Sequence, residues 1–432
     1  MRYRLRDAYA VLRTPIGRSQ VWSGLYFRAW PLMWRLANLY RRTALRNTNV
    51  VAVIGSYGKT TTARAVTQAL GRRISPRIEL NDRSFIPLAM LRTEPGAKHA
   101  VVEVGIDHRG QMARFAQALL PSTCVITCVG GEHNRSLGTL ADTAREKAEM
   151  VRLVPSDGLV VANKDDDYAL WMAQQGRCRT VTFGFDPASE FYVTEAELNW
   201  PVGMRFRLHY HGRSAVVQTR LLGRHMAYPI LAAFAVASSV GIPAETALSR
   251  LSELRPTPGR MELMPLANGA VLLCDYFKSG LETIYSALDT LEAVPGARKI
   301  VVLGDVSEPP GSQGPIYKAL GRRVAEVASL AYFVSSRNQS YASGAAEAGM
   351  SRSQIRSMPR SVLAAAAALQ PELRSGDVVL IKGRDTQRLD RIAFALAGRP
   401  VRCDIEFCRA MPMRCAECGM LERGWDGLKI IF

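Results

Sequence analysis

Two features that would place a chain in a membrane or outside the cell are missing from this one. Across its 432 residues no apolar run approaches the ~20 needed to span a bilayer, and the Met1 region lacks the uninterrupted apolar stretch of a secretory signal. A cytoplasmic protein is expected. Acidic residues are also few, 38 Asp and Glu against 56 Lys and Arg, leaving a formal charge of +18. That balance favours anionic partners, whether nucleotides, acidic metabolites, nucleic acid or an anionic membrane surface, without choosing among them. No internal sequence repeat is visible. Of eight cysteines, Cys124, Cys128, Cys178 and Cys274 are scattered among apolar neighbours, as reduced core thiols of a cytosolic protein are.

The charge is unevenly placed. Residues 1–48 carry ten arginines against one acid, Asp7. Over residues 21–46, Trp22, Tyr26, Met33, Ala37 and Tyr40 fall on one side of a helical wheel, with Arg28, Arg35, Arg42 and Arg46 opposite. This predicts an amphipathic helix kinked at Pro31. Such a helix suits an anionic membrane surface, which would make the protein peripheral at the inner face. It equally suits packing on the chain's own folded body, and both readings stay open.

A chain of this size with 48% hydrophobic residues can bury two or three cores. Short β-branched runs at 50–54, 100–104, 124–127 and 159–162 alternate with helical stretches at 62–70, 111–119 and 141–153. This alternation predicts an α/β fold with a mainly parallel sheet. Residues 191–221 alternate more irregularly and suggest a small antiparallel sheet, before an Ala-rich helix at 227–240. Pro256-Thr257-Pro258-Gly259 punctuates the chain. A second α/β series follows, with strands at 271–274, 299–303, 330–334 and 378–381. The expected organisation is a basic helical leader (1–48), a central α/β domain (49–255), a Rossmann-like α/β C-terminal domain (256–398) and a Cys-rich tail (399–432).

Strand, glycine loop and helix meet at Gly55-Ser56-Tyr57-Gly58-Lys59-Thr60-Thr61. A loop of this kind turns backbone N–H groups toward phosphate oxygens, and the following helix N-terminus adds a favourable partial charge. Lys59 suits the β- and γ-phosphates and the Thr60 hydroxyl suits Mg²⁺.

The loop resembles the phosphate loop of the Mur ligase family, and further motifs follow in that family's order. Asn81-Asp82-Arg83-Ser84-Phe85-Ile86-Pro87-Leu88 resembles its substrate loop, and Val102-Glu103-Val104-Gly105 the strand with its metal-binding glutamate. The resemblance implies ATP and Mg²⁺ as cofactors, Glu103 as ligand of the nucleotide-bound Mg²⁺ and His133 as ligand of a second one. It also implies a carbamylated Lys147 as an anionic metal-binding group. Gly223-Arg224-His225 resembles the opening of the family's adenine-holding helix, although Met226 and Pro229 stand where it has asparagines. Arg260 in Pro258-Gly259-Arg260-Met261-Glu262 is implied to reach the γ-phosphate, and Asp275 to contact nucleotide. Gly304-Asp305-Val306-Ser307-Glu308 and Lys382-Gly383-Arg384 resemble acceptor-side motifs, with Lys382 suited to a carboxylate. Taken singly, His133 also suits a plain loop residue, Lys147 a surface lysine and Arg260 an interdomain salt bridge.

The resemblance covers residues 49–398 and implies an ADP-forming amide-bond ligase. A substrate carboxylate attacks the γ-phosphate, and an amine acceptor then attacks the acyl phosphate, with domain closure expected around the proline-rich hinge that precedes Arg260. The family's peptidoglycan ligases hold a UDP-linked sugar in an N-terminal domain longer than residues 1–48. Another anionic, cell-envelope carboxylate, lipid-linked or membrane-proximal, is therefore the expected substrate. A non-catalytic nucleotide-binding scaffold is the alternative, and a nucleic-acid module a third reading without a groove-reading helix to support it. In the tail, Cys403, Cys408, Cys415 and Cys418 offer four thiolates compatible with a structural Zn²⁺, against reduced, unliganded thiols.

Overall fold

The computed structural model describes residues 12–424 apart from 76–77, 79–80, 82–84, 132–133, 297, 359, 409 and 411–412. His133 therefore lies outside the described residues. The chain divides into two compact units, one of residues 28–256 and the other of residues 12–27 with 257–424.

In the first unit β1 (Asn49–Ile54) is an almost wholly buried apolar strand that feeds the glycine loop and then α1 (Lys59–Ala69). β2 (His99–Glu103), β3 (Thr123–Ile126), β4 (Leu159–Asn163) and β5 (Arg179–Gly184) pair in parallel around it. Runs such as Val-Val-Ala-Val-Ile stand as strands buried on both faces because helices cover both sides of a parallel sheet. The sheet order is β2-β1-β3-β4-β5-β6-β7-β8. Its last three strands, β6 (Phe191–Asn199), β7 (Gly203–Tyr210) and β8 (Arg213–Thr219), are the antiparallel stretch. They do not form a separate small sheet, as the alternation suggested. β6 pairs in parallel with β5 through Phe183 and Gly184, so the antiparallel hairpins extend the main sheet.

β5 itself was not expected. Only Val181, Phe183 and Gly184 are buried in it, so it never shows the continuous apolar run that marks the central strands. The helix Ala227–Ser239 is buried nearly all round, which matches its Ala-rich, uniformly apolar sequence.

The second unit carries a six-stranded sheet. β10 (Val271–Asp275), β14 (Val378–Lys382), β11 (Lys299–Leu303), β12 (Leu330–Val334) and β13 (Ile355–Met358) are parallel, and β9 (Glu262–Pro265) adds an antiparallel edge. The four-residue edge strands β9 and β13 left no mark in the apolar pattern. Their residues are mostly half-buried, as edge positions are.

Among its described residues the basic leader forms the helix Pro15–Arg42, which continues through Pro31. Its C-terminal half packs on the first unit by a face the wheel identified only in part. Ala37 and Arg41 are buried, and the Trp34 ring lies 5.7 Å from Phe115. Arg41 donates to the carbonyls of Leu119 and Leu120 at 2.8 Å each and to Leu45, and so covers the C-terminal end of helix Gln111–Leu119. Trp22, placed by the wheel on the packing side, is 63% exposed.

Candidate active site

The carboxyl ends of β2, β1 and β3 come together through register. Val53 lies opposite Glu103, Ile54 opposite Ile126, and the Val104 N–H donates to Val53 O at 2.9 Å. Ligands of open parallel sheets bind at this edge. Here Gly55 turns the chain at φ 141°, where a Cβ would sit 1.9 Å from Thr127 Oγ1 and 3.0 Å from the Cys128 carbonyl. Only glycine fits. Gly58, at φ 78°, then caps the N-terminus of the helix that opens with Lys59 and Thr60.

The loop is held by residues that follow β3 and by a side chain of helix Leu140–Arg152. Thr127 Oγ1 donates to Tyr57 O at 2.6 Å, Ser56 N to Cys128 O at 2.7 Å, and Ser56 Oγ to Gly130 O at 3.1 Å. Lys59 folds back over it, its Nζ donating to Gly55 O at 2.9 Å and Ser56 O at 2.8 Å. Lys147 Nζ donates to Ser56 Oγ at 2.8 Å and is only 4% exposed. It is thus not a solvated surface lysine. Two buried ammonium groups therefore serve one glycine loop, and the charges of both bear on the Cys128 thiol, which burial pushes up. Helix Leu140–Arg152 is fixed by a capping box between Thr139 and Asp142, and its Glu146 accepts from the N–H groups of Gly110 and Met112.

Glu103 is 3% exposed, with Oε1 accepting from Asn81 Nδ2. Asn81 is itself pinned by Gly105 N donating to its carbonyl at 3.0 Å. The structure thus joins the predicted substrate loop to the predicted metal-binding strand. Motif reading did not find the cavity beside them, which Glu103 lines with Arg72, Arg73, Arg92, His99 and Phe85. Burial and the charges of Arg72 and Lys98 hold His99 below its usual value. The dipeptide Arg72-Arg73 just after helix Lys59–Ala69 was the available signal.

Met226 is buried and Pro229 lies among the buried residues of helix Ala227–Ser239, so both serve the core. Polar contacts in that region come instead from Tyr228, whose hydroxyl donates to Asp165 at 3.0 Å, and from Arg224, 4.4 Å over the Phe185 ring.

In the second unit the ends of β10, β11 and β14 gather Asp275, Asp305 and Lys382. Lys382 is 1% exposed and donates to Asp275 Oδ2 and to the Lys278 carbonyl, both at 2.6 Å. Burial lowers the Lys382 ammonium from its usual value against the pull of Asp275, and the nearby Arg260 charge lowers it further. Arg260 stands over Phe277 at 5.5 Å, and its buried Nε has no partner among the described residues. Arg414 from the tail lies 5.3 Å from the same ring. Asp305 accepts from Ser335 and pairs with Arg360 at 2.7 Å.

Cys403, Cys408, Cys415 and Cys418 line one small cavity with Ile405, Met413 and Leu421. Yet among the described residues no group of three or more His, Cys, Asp or Glu is arranged to hold a metal ion. The expected zinc centre is not met by this arrangement. The tail is held instead by Arg391, 1% exposed, which donates to the carbonyls of Gln387, Arg388, Cys403 and Ile405. Burial raises the Cys415 and Cys418 thiols, which keeps them protonated.

The Mur ligase middle domain matches residues 53–237, and the Mur ligase, glutamate ligase domain matches residues 259–384. The UDP-N-acetylmuramoyl-tripeptide--D-alanyl-D-alanine ligase of Escherichia coli (strain K12) is 30% identical over 264 residues, 60% of this chain and 58% of that protein. The chain thus spans less than two thirds of that relative. The enzyme of the same name from Mycobacterium tuberculosis (strain CDC 1551 / Oshkosh) is 28% identical over 373 residues, 81% of this chain and 73% of its own. Crystal structure I of MurF from Acinetobacter baumannii superposes with a TM-score of 0.76 at 22% identity, covering 86% of this chain and 81% of that one. MurF ligase from Thermotoga maritima in complex with ADP gives 0.73 at 20% identity, with 86% and 84% covered. With the glycine loop, Glu103 and Lys147 in one unit and Arg260, Asp275 and Lys382 in the other, the chain belongs to the Mur ligase family.

Proposed function

We propose that this chain is an ATP-dependent, ADP-forming amide-bond ligase that activates an anionic carboxylate of a cell-envelope precursor. One observation carries the reading: two buried lysines, Lys59 and Lys147, engage a single glycine loop beside the buried carboxylate Glu103. In the reaction the substrate carboxylate oxygen attacks the γ-phosphorus and ADP leaves. The amine then attacks the carbonyl carbon, and phosphate departs with that oxygen. The protein's part is placement and charge neutralisation.

Lys59 moves from the loop carbonyls to the phosphate oxygens. Arg260, whose buried Nε has no partner among the described residues, is the group suited to the γ-phosphate. Thr60 and Glu103 fit Mg²⁺, being a buried hydroxyl and a buried carboxylate at the edge where the loop begins. Mg²⁺ supplies charge neutralisation on the phosphates. His133 would hold a second ion, and Lys147, carbamylated by CO₂ with loss of a proton, would serve as its anionic ligand. Arg72, Arg73 and Arg92 around the Glu103 cavity favour an anionic substrate. Lys382 serves the acceptor side, and Asp275, paired with it, contacts nucleotide.

The test is oxygen transfer. With ¹⁸O in the substrate carboxylate, one label should appear in each phosphate released. Phosphate without label, formed alongside amide, would refute the acyl phosphate route.

A further inference from the structure

The helix Pro15–Arg42 has a second apolar face, and it is uncovered. Trp22, Leu25, Ala29, Leu32, Leu36 and Leu39 recur at intervals of 3, 4, 3, 4 and 3, which places them on one stripe. All six are exposed, Leu32 and Leu39 to 60% each. Isolated exposed leucines are ordinary, but an unbroken row along a helix marks an interaction surface. Ala37, Arg41 and Trp34 bind the opposite face to the first unit, so at least Leu32, Leu36 and Leu39 are fixed pointing outward.

Charge identifies the occupant. The helix holds five arginines and no acid, and Arg28, Arg35 and Arg42 each lie beside the stripe, exposed. Two copies of this helix joined along their leucines would bring cations together with no carboxylate to pair them. An anionic lipid surface satisfies both features at once, taking the leucines and Trp22 into its interfacial layer and the guanidiniums among its headgroups. No described helix is long and apolar enough to cross a membrane, so the contact is superficial.

We infer that the stripe from Trp22 to Leu39, flanked by Arg28, Arg35 and Arg42, is a membrane-docking face for anionic lipid. The inference stands apart from the ligase reading, because lipid binding is measured without ATP or acceptor.

The test is co-sedimentation of the full chain with phosphatidylcholine vesicles containing 0 or ~30% phosphatidylglycerol. Each arginine near an anionic surface contributes roughly fivefold to partitioning. Binding should therefore appear only with the anionic lipid and fall at least tenfold in high salt. The triple variant Leu32→Ser/Leu36→Ser/Leu39→Ser should lose it at least tenfold while its circular dichroism and nucleotide binding stay unchanged. A second triple, Arg28→Gln/Arg35→Gln/Arg42→Gln, should do the same. The inference is overturned if neither vesicle is bound, if both are bound equally, or if the leucine triple leaves binding intact. It is also overturned if the leucine triple instead abolishes a dimer seen by light scattering in a chain that ignores vesicles.

Discussion

Asp275→Asn isolates a buried charge. The carboxylate lies 2.6 Å from Lys382 Nζ, a separation at which two unit charges attract by roughly 6 kcal/mol at an effective dielectric constant of about 20. Desolvation offsets much of that, so removing one partner is expected to cost about 3–5 kcal/mol, chiefly by stranding the other. Because burial already lowers the Lys382 ammonium, the stranded lysine should lose its proton readily. The unfolded chain then binds more protons than the folded one between the depressed value and 10.5, so the variant's deficit should be full below the depressed value and shrink as pH rises from there toward 10.5. The double variant Asp275→Asn/Lys382→Met removes both charges and should recover to within about 1–2 kcal/mol of the parent. Hydrogen exchange of the amides in β10 and β14 reads this locally, whatever the other unit does. Additive single effects, with a coupling below about 0.5 kcal/mol, would refute the reasoning.

Other consequences follow from single contacts. Gly55→Ala would put a Cβ against Thr127 at a φ of 141°, so nucleotide affinity measured by calorimetry should fall at least ~100-fold, the equivalent of about 2.7 kcal/mol. Arg41→Met removes three donations to carbonyls and leaves the end of helix Gln111–Leu119 bare. A loss of about 2–4 kcal/mol is expected, read as a lower midpoint in thermal unfolding. Arg391→Met should free the Cys-rich tail, so limited proteolysis should cleave between 399 and 424 at least tenfold faster while the upstream sheet stays resistant.

Much of this architecture was legible because the physics behind it is local. β-branched runs bounded by turn residues gave the central parallel strands, and Gly55 and Gly58 announced the phosphate loop by spacing alone. Edge strands such as Ile355–Met358 were not legible, since half-exposed positions carry no apolar signature. Arg41 and Arg391 were equally hidden. An arginine reads as surface charge until the carbonyls that receive it are placed by the fold. The leader helix shows a further limit. Both of its faces are apolar, and a wheel cannot tell which one the body covers, so the uncovered leucines went unmarked. At the site, Lys147 reads as one more helical lysine until helix Leu140–Arg152 delivers it to Ser56.

The central claim is that the Lys59 loop and Glu103 serve ligation rather than mere nucleotide binding. The most direct measurement is acceptor-dependent phosphate release from ATP, with the amide product weighed by mass spectrometry over a panel of anionic carboxylates and amines. Phosphate and amide should form one for one, and Lys59→Ala and Glu103→Ala should each lower turnover by at least ~100-fold. Nucleotide binding with no acceptor-dependent turnover across the panel, or full turnover in either variant, would contradict it.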